Sequence, residues 1–493
     1  MHLKLTIFEI ESGVTKTKDF IYLSMIHSWD GMLRDIEKHA EKIIHELKRW
    51  EEINIITHID ADGIAAGAIA KKMMEREGVE SSIHFVKYLD KKVVEEVREM
   101  DGLKWFTDLG SGITSKLKGM DYIITDHHTL DLEEKKQTWR DFNPHLYGID
   151  GGREISGAGL VYVIASKLNE KNKDMADLAI VGACGDLQDV FSCRLEGWNR
   201  EIVEEGIVEN KIEVKKDVRL FGRQTKPIHK ILQYADDPIL PSLSGNEKAC
   251  LSFLDELGIA SKEGKRWRRW IDLNEWERKR IISALITHIL SKGFGHSYAS
   301  RLIGEVYELI NEKEGTELRD AKEYATLLNS TARYGHADVG LNICMGKRGE
   351  TIERAKKLLR NHRKNLVEGL RLVKEEGIRE HGFIQYFHAG EEIRDTIIGI
   401  VTGMLLHSNY AKQGMPIIGF AEKDNGEIKA SARAPSLLRQ RGIDLSKAMQ
   451  RVASRLGGTG GGHEVAAGAT IPKGKEEEFL CMLEKEIRNQ LTL

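Results

Sequence analysis

The chain has 493 residues, 41% hydrophobic and 31% charged, with a formal net charge of −3. That length exceeds what one hydrophobic core organises and implies two or three domains. The composition excludes a disordered chain and, with seven prolines, a Pro-rich scaffold. The near-neutral charge excludes coating of nucleic acid by a uniformly basic surface, so any such contact falls in a local groove.

No apolar run approaches the roughly 18 residues of a membrane span. The start, MHLKLTIFEIESG, lacks the basic-then-apolar order of a secretion signal. A cytoplasmic protein with no membrane partner is expected. Cys184, Cys193, Cys250, Cys344 and Cys481 show no CxxC spacing, which points to core fillers in a reducing compartment and away from a zinc ribbon or disulfide framework.

In chain order, residues 28–50 predict a charged amphipathic helix. INIITHID (53–60) then reads as a β-branched strand and the segment after Gly63 as a helix ending at Gly78. SSIHFVKY (81–88) predicts a strand and 90–100 a helix; WFTDLG (105–110) and YIITDHH (122–128) predict two further strands. Strands alternating with helices imply a parallel, doubly wound sheet, which places ligands at the carboxyl ends of its strands. SGAG (156–159) opens a helix, as a structural start or as part of a site wall.

From about 206 to 325 the β signal fades and the chain reads as helical and charged. There Lys265, Arg266, Arg268 and Arg269 alternate with Trp267 and Trp270. This fits strand binding by stacking and phosphate contact, although a surface helix with its tryptophans in the core is the preferred reading. Residues 350–376 predict one long helix whose apolar stripe packs on a neighbour. Its Lys356, Lys357, Arg360, Arg363 and Lys364 line a groove or form a solvated face. A second α/β region comes next: FIQYFHAG, a helix near 393–408, PIIGFAEK, EIKASAR and the glycines at 457–462.

The first region's strands end in acids and histidines. INIIT leads to His58, Asp60 and Asp62, WFT to Asp108, and YIIT to Asp126, His127 and His128; LAIVGACGDLQD carries Asp186 and Asp189. Any single Asp after a strand is commonly a helix N-cap, and Asp62 before Gly63 fits that role. Several such ends converging on one sheet edge would repel unless cations sat among them. Carboxylates with imidazoles suit Mn²⁺ or Mg²⁺ and not a structural zinc.

THIDADG, FTDLGSG, TDHHTL and GACGDLQD resemble the four motifs of the DHH phosphoesterase superfamily. ASAR (430–433) followed by GGTGGGHEVAAGA (457–469) resembles its DHHA1 companion domain. Order and spacing are similar to RecJ-type single-strand exonucleases, especially the archaeal RecJ-like group that includes the GINS-associated nuclease. The fold class implied is α/β: a parallel-sheet DHH domain, a helical middle region, a long connecting helix and a smaller α/β DHHA1 domain. The expected division is 1–49, an N-terminal extension; 50–205, DHH; 206–325, the middle region; 326–349, a return to DHH; 350–377, the connecting helix; and 378–493, DHHA1.

The resemblance implies two divalent ions, Mn²⁺ before Mg²⁺. His58 and Asp60 would serve the first, Asp62, His127 and Asp186 the second, and Asp108 both. Asp126 would orient an imidazole, and His128 would face the scissile phosphate. Bacterial RecJ-like proteins more often have Asp at the position of His58. Ser431 and Arg433 would hold a terminal phosphate, with Gly460, Gly461, Gly462 and His463 as the GGGH element and Arg333 and His336 nearby. The glycines by themselves read as a flexible turn or an anion nest. The function implied is 5′ to 3′ hydrolysis of single-stranded DNA, and possible action on RNA, to 5′-mononucleotides in replication or repair, with archaeal GINS or the replicative helicase as a partner. The rivals are a short-oligonucleotide or cyclic-dinucleotide phosphodiesterase and a replisome scaffold.

Overall fold

The computed structural model describes residues 35–130, 139–406, 408 and 410–491. The stretch read for a secretion signal and the start of the helix expected over 28–50 lie outside the described residues. Within them that helix covers 35–47 (α1) and buries Ile36, Ala40, Ile43 and Leu47, one helical face.

The sequence then alternates as expected: β1 (Glu52–His58), α2 (Ala61–Glu77), β2 (Glu80–Val86), α3 (Lys91–Arg98), β3 (Leu103–Thr107), β4 (Tyr122–Thr125) and the short β5 (Asp141–Phe142). The strands form one parallel sheet in the order β2-β1-β3-β4-β5. Helices cover both faces, which is why β3 and β4 are buried throughout and largely apolar. On one face lie α2, α4 (Gly157–Leu168), α5 (Ala176–Gly185) and α6 (Gly197–Val208). On the other, Val94 and Val97 of α3 pack on Ile56, Phe106 and Ile124. Strand register aligns the carboxyl ends: Thr57 pairs with Thr107, and Thr107 with Thr125. The next residues, His58, Asp108 and Asp126, therefore leave the sheet at one edge.

The middle region comprises β6 (Ile212–Val218), α7 (Ile228–Gln233), α8 (Glu247–Glu256), β7 (Lys262–Glu263), β8 (Arg266–Trp267), α9 (Glu275–Ser291), α10 (His296–Ser300) and β9 (Ile303–Leu309). It is mainly helical around its own core, which includes Leu232, Leu254, Trp270 and Leu285. Two features depart from the sequence reading. First, β6 and β9 pair antiparallel, so the region is entered and left through a two-stranded ribbon. Second, Arg266–Trp267 is in a hairpin, and the helix begins only after Asn274, where Asn274 and Glu277 cap one another reciprocally. Trp270 is buried, as expected of a core residue. Arg266 and Arg269 pair with Asp272, and Arg268 with Glu277. The three arginines thus share two carboxylates within the fold, which leaves the cluster partly compensated.

Helices α11 (Ala321–Ala332) and α12 (Ala337–Cys344) return to the first core, and α13 (Glu350–Glu376) runs onward. Ala355 and Leu359 of α13 pack on the first core and Val373 on the second. The second unit contains β10 (Arg379–His381), β11 (Ile384–His388), α14 (Ile398–Leu406), β12 (Ile417–Glu422), β13 (Ile428–Arg433), α15 (Ser436–Arg439), α16 (Leu445–Arg455), β14 (Thr459–His463), β15 (Ala466–Ile471) and α17 (Glu476–Leu491). Its mixed sheet has the order β10-β11-β12-β13-β15-β14. The glycine run is therefore an edge strand and not a flexible turn. A side chain at Gly460 would meet the Met449 carbonyl of α16 at 2.7 Å, so only glycine lets the strand lie so close to the helix. Among the described residues no helix is long and apolar enough to cross a membrane.

Ile180, at the centre of α5, is fully buried. Ile180→Ala should cost about 2–5 kcal/mol in urea unfolding; a loss below about 1 kcal/mol would contradict the placement of α5 between α2 and α6.

Candidate metal centre and interdomain cleft

Three backbone features deliver the charged side chains. Asp60 is the N-cap of α2 and accepts from the Gly63 amide at 2.9 Å, so the capping role expected of Asp62 belongs to Asp60. Asp62 is buried one step inside the helix and accepts from the Gly157 and Ala158 amides at 2.6 and 3.0 Å. These amides open α4 just after its N-cap, Ser156, and helix N-termini favour such anions. Asp108 has φ 60°, a left-handed conformation rare for a residue with a side chain and typical of functional turns. SGAG is thus both a helix start and a site wall. A Cβ at Gly157 would lie 2.6 Å from that of Asp108, and one at Gly182 would lie 2.2 Å from an Asp62 oxygen.

Around Asp108 the donors fall into three overlapping groups, each with ligand atoms within 4.8 Å of one another: His58, Asp60 and Asp108; Asp62, Asp108, His127 and Asp186; and Asp108, His127 and His128. His58 Nδ1 is 2.8 Å from Asp60 and 3.6 Å from Asp108. His127 Nε2 is 3.1, 3.2 and 3.7 Å from Asp108, Asp186 and Asp62. The other edge of His127, Nδ1, donates to the Gly151 carbonyl at 2.6 Å, which leaves Nε2 to face the acids. Asp126 stands outside all three groups. It accepts from the Ser111 amide at 3.0 Å and holds His128 through Nδ1 at 2.8 Å. The His463 ring stacks on His128 with centroids 5.8 Å apart, which brings the second unit over the first.

The electrostatics are those of a crowded anion nest. Burial, then Asp108 and Asp186, push the Asp62 carboxyl well above the carboxylate range. Burial, then Asp60, raise that of Asp108. Burial opposes charge on His127, yet Asp108 and Asp186 raise it well above the usual imidazole value. Solvent reaches His58 and Asp60 through the cleft although protein surrounds them. Burial would raise Asp60, but His58 holds it below the usual range. Both Asp108 oxygens, His58 Nδ1 and His127 Nε2 are buried with no hydrogen-bond partner. Such orphaned oxygen and imidazole atoms, aimed at common points, fit divalent cations of the Mn²⁺ or Mg²⁺ type.

Beside His58 and Asp60 a cavity of about 180 Å³ extends between the two units, lined also by Lys87, Tyr88, Arg333, Asp395, Thr396, Lys423 and Lys429, with Lys87 paired to Asp395 at 3.2 Å. Arg333 donates to the Thr396 carbonyl at 2.5 Å, but its Nε is buried and unpartnered, as is the Thr396 hydroxyl. Burial and the neighbouring Lys423 push the Lys429 amine down to about 8. Burial and Arg333 likewise push Arg433 down to about 10. Ser431 and Arg433 both face Gly399 of α14, where a Cβ would meet the guanidinium at 2.8 Å.

The structure therefore brings His58, Asp60, Asp62, Asp108, His127 and Asp186 together, sets Asp126, His128 and His463 alongside, and places Arg333 at the cavity. It does not bring His336 there; that ring pairs with Arg354 of α13. Sequence reading missed Lys87, Tyr88, Lys423 and Lys429. The signal was present in IKASAR: Lys429, Ser431 and Arg433 alternate along one strand and share a face. Lys87 and Tyr88 come directly after the carboxyl end of β2.

Comparison with known proteins agrees with this architecture. The model for the N-terminal domain of the DHH family matches residues 52–183, the DHH-CID domain 220–303, and the DHHA1 domain 381–489. The chain belongs to the DHH phosphoesterase family. Over 93% of its length it is 32% identical to the uncharacterized protein MJ0831 of Methanocaldococcus jannaschii, 99% of which is covered. The fold is similar to Thermus thermophilus RecJ in complex with Mn²⁺ (18% identity, TM-score 0.55, 92% of this chain). The chain spans 55% of that RecJ. It is also similar to Cdc45 of Entamoeba histolytica (13% identity, TM-score 0.62, 94% of this chain and 99% of that one).

Asp141 supplies a pH test. It is buried beneath the site, accepts from Ser111 at 2.8 Å, and burial pushes its carboxyl up to about 7. Below about pH 4 it is protonated in folded and unfolded chains alike. Between pH 4 and 7 the unfolded chain releases that proton and the folded chain does not. Stability contributed at low pH is therefore lost as pH rises, by up to about 1.4 kcal/mol per unit. Asp141→Asn should gain in melting temperature over the parent at pH 7.5 relative to pH 4.5; a constant difference would contradict this.

Proposed function

We propose that the chain is a metal-dependent, single-strand-specific exonuclease that works 5′ to 3′ on DNA and releases 5′-mononucleotides in replication or repair. The observation that carries the reading is the direct adjacency of an acid–imidazole nest centred on Asp108 and a cationic cavity that ends between the two units. The first suits a phosphodiester's reacting centre and the second its terminal phosphate.

His58 and Asp60 would hold one divalent ion, Asp62, His127 and Asp186 a second, and Asp108 both, with Mn²⁺ favoured over Mg²⁺. Bound there, the ions supply Lewis-acid chemistry, polarising phosphoryl oxygens and acidifying water. The chain's own side chains do the rest. Asp126 fixes His128 by one ring edge, which orients the imidazole for a phosphoryl or leaving oxygen. His463 reaches the same point from the second unit. Arg333, Lys429 and Arg433 lack carboxylate partners at ion-pair distance among the described residues, and a guanidinium suits bidentate contact with a terminal phosphate. The likeness to Cdc45 supports an association with the replicative helicase through GINS.

Asp108→Ala should lower turnover at saturating Mn²⁺ by at least about a hundredfold, since electrostatic groups at a reacting centre are worth that much. It should also raise the melting temperature in metal-free buffer by relieving repulsion. Near-normal turnover would refute the assignment. With 5′- and 3′-labelled strands, the 5′ label should leave first as a mononucleotide. Arg433→Ala should slow use of 5′-phosphorylated ends by about 10- to 100-fold, the worth of one charged hydrogen-bonding group, and leave unphosphorylated ends nearly unaffected. Equal losses on both ends, or first release of the 3′ label, would contradict the polarity. Hydrolysis confined to dinucleotides would replace the reading with that of a short-oligomer phosphodiesterase.

A further inference from the structure

The middle region is surplus to the hydrolytic site, yet its surface next to α13 is charged in an unusual way. Most cations around it are matched: Arg223 pairs with Asp320 and Asp217, Arg319 with Glu308, Lys322 with Asp189 and Lys356 with Glu317. Lys226 of the middle region and Arg363 of α13 are exceptions. Among the described residues neither has a carboxylate at ion-pair distance. Glu317 bears on Arg363 and Asp236 on Lys226 only from beyond ion-pair distance, and the acid close to both, Glu323, is occupied by the Gln224 amide at 2.8 Å and the Thr225 hydroxyl. Burial, followed by Asp320, raises that carboxyl to about 7. The two cations bear on one another: burial, and then Arg363, push the Lys226 amine down to about 8.

Aromatic rings accompany the charges. Lys226 Nζ lies 4.7 Å from the Phe221 ring and 4.8 Å from that of Tyr234, and Tyr234 is 49% exposed. The charges also continue toward the active site. Beyond Arg363 comes His362, whose imidazole is pushed down to about 4 by burial and by Arg333 and Arg363 on either side. Tyr334, just past the end of α11, contacts α13 twice, its hydroxyl 3.4 Å from His362 Nδ1 and 2.8 Å from Asn365 Nδ2. Arg333 then opens into the cavity beside Asp60.

We infer that Lys226, Arg363 and Tyr234 form an outer subsite for single-stranded nucleic acid, joined through His362 and Arg333 to the hydrolytic centre, so that the middle region holds the strand several nucleotides from the cut. This inference rests on the nuclease reading and adds to it where the uncut strand runs. Partly desolvated cations without counter-ions are costly, and a phosphodiester between them relieves the cost. An exposed tyrosine beside them supplies a stacking face that tolerates any base. The arginines of the Arg266–Arg269 stretch, by contrast, each already contact a carboxylate.

The test uses the full chain carrying Asp108→Ala, so that bound strands stay intact, and a fluorescent 20-nucleotide strand titrated at several salt concentrations. Adding Lys226→Ala and Arg363→Ala should make the slope of log affinity against log salt shallower by about 1.4, two contacts at about 0.7 each. Tyr234→Ala should weaken binding about tenfold with little change in slope. The charge-preserving pair Lys226→Arg and Arg363→Lys should keep the parental slope. With Asp108 restored, the alanine pair should hydrolyse trinucleotides at the parental rate. An unchanged slope in the alanine pair, an equal loss in the charge-preserving pair, or an equal loss on trinucleotides would overturn the inference. Failure of the parental chain to cut any strand would defeat the nuclease reading alone, because the binding measurement does not depend on turnover.

Discussion

Everything at this site depends on forcing carboxylates together against their mutual repulsion. Asp62 and Asp108 are almost fully buried, with Asp60 and Asp186 beside them. Among the described residues, Arg333 bears on Asp60 from the cavity, and otherwise only imidazoles that the same acids would have to keep protonated offer positive charge. The fold tolerates this by local means. The start of α4 gives Asp62 two amides, the α2 terminus gives Asp60 one, and glycines at 157 and 182 leave room for carboxylates where any other residue would collide. Acids and imidazoles so crowded could hold cations, and clustering of strained and perturbed groups is typical of functional sites.

The parallel sheet explains why so much of this was legible in the sequence. Parallel strands in register end at the same edge, so chemistry-bearing residues that come after INIIT, WFT and YIIT had to meet. The long helix was legible from its apolar stripe. The less legible features depend on tertiary partners. The β6–β9 ribbon pairs segments far apart in sequence, a partly exposed β6 with a largely buried β9 whose acids interrupt any apolar run. The tryptophan–arginine stretch has a helical composition, but Asp272 and Asn274 delay the helix to residue 275. The glycine run has turn composition and becomes a strand because α16 and β15 pack against it. Lys423, Lys429 and Lys87 are surface-type residues by composition, and only the closure of one unit on the other makes them line a cavity.

The two units and the middle region thus divide the work. The parallel sheet concentrates negative charge for cations, the second sheet supplies positive charge and His463 over it, and the helix α13 joins the two cores at fixed spacing. The middle region shares a boundary with α13, and its unpaired cations continue the electropositive lining outward. On the proposed reading, strand length would matter at the outer surface and bond cleavage at the inner one, so affinity and turnover would be separable properties of one cleft.

The most direct test of the account is the number and proximity of ions at the Asp108 nest. Equilibrium dialysis of the metal-free chain against Mn²⁺, read together with electron paramagnetic resonance of the same samples, measures both. The account predicts two ions per chain with an exchange-coupled signal, as for centres about 3.5–4 Å apart that share a bridging carboxylate. A single ion per chain at saturation, or two ions with independent signals, would contradict it.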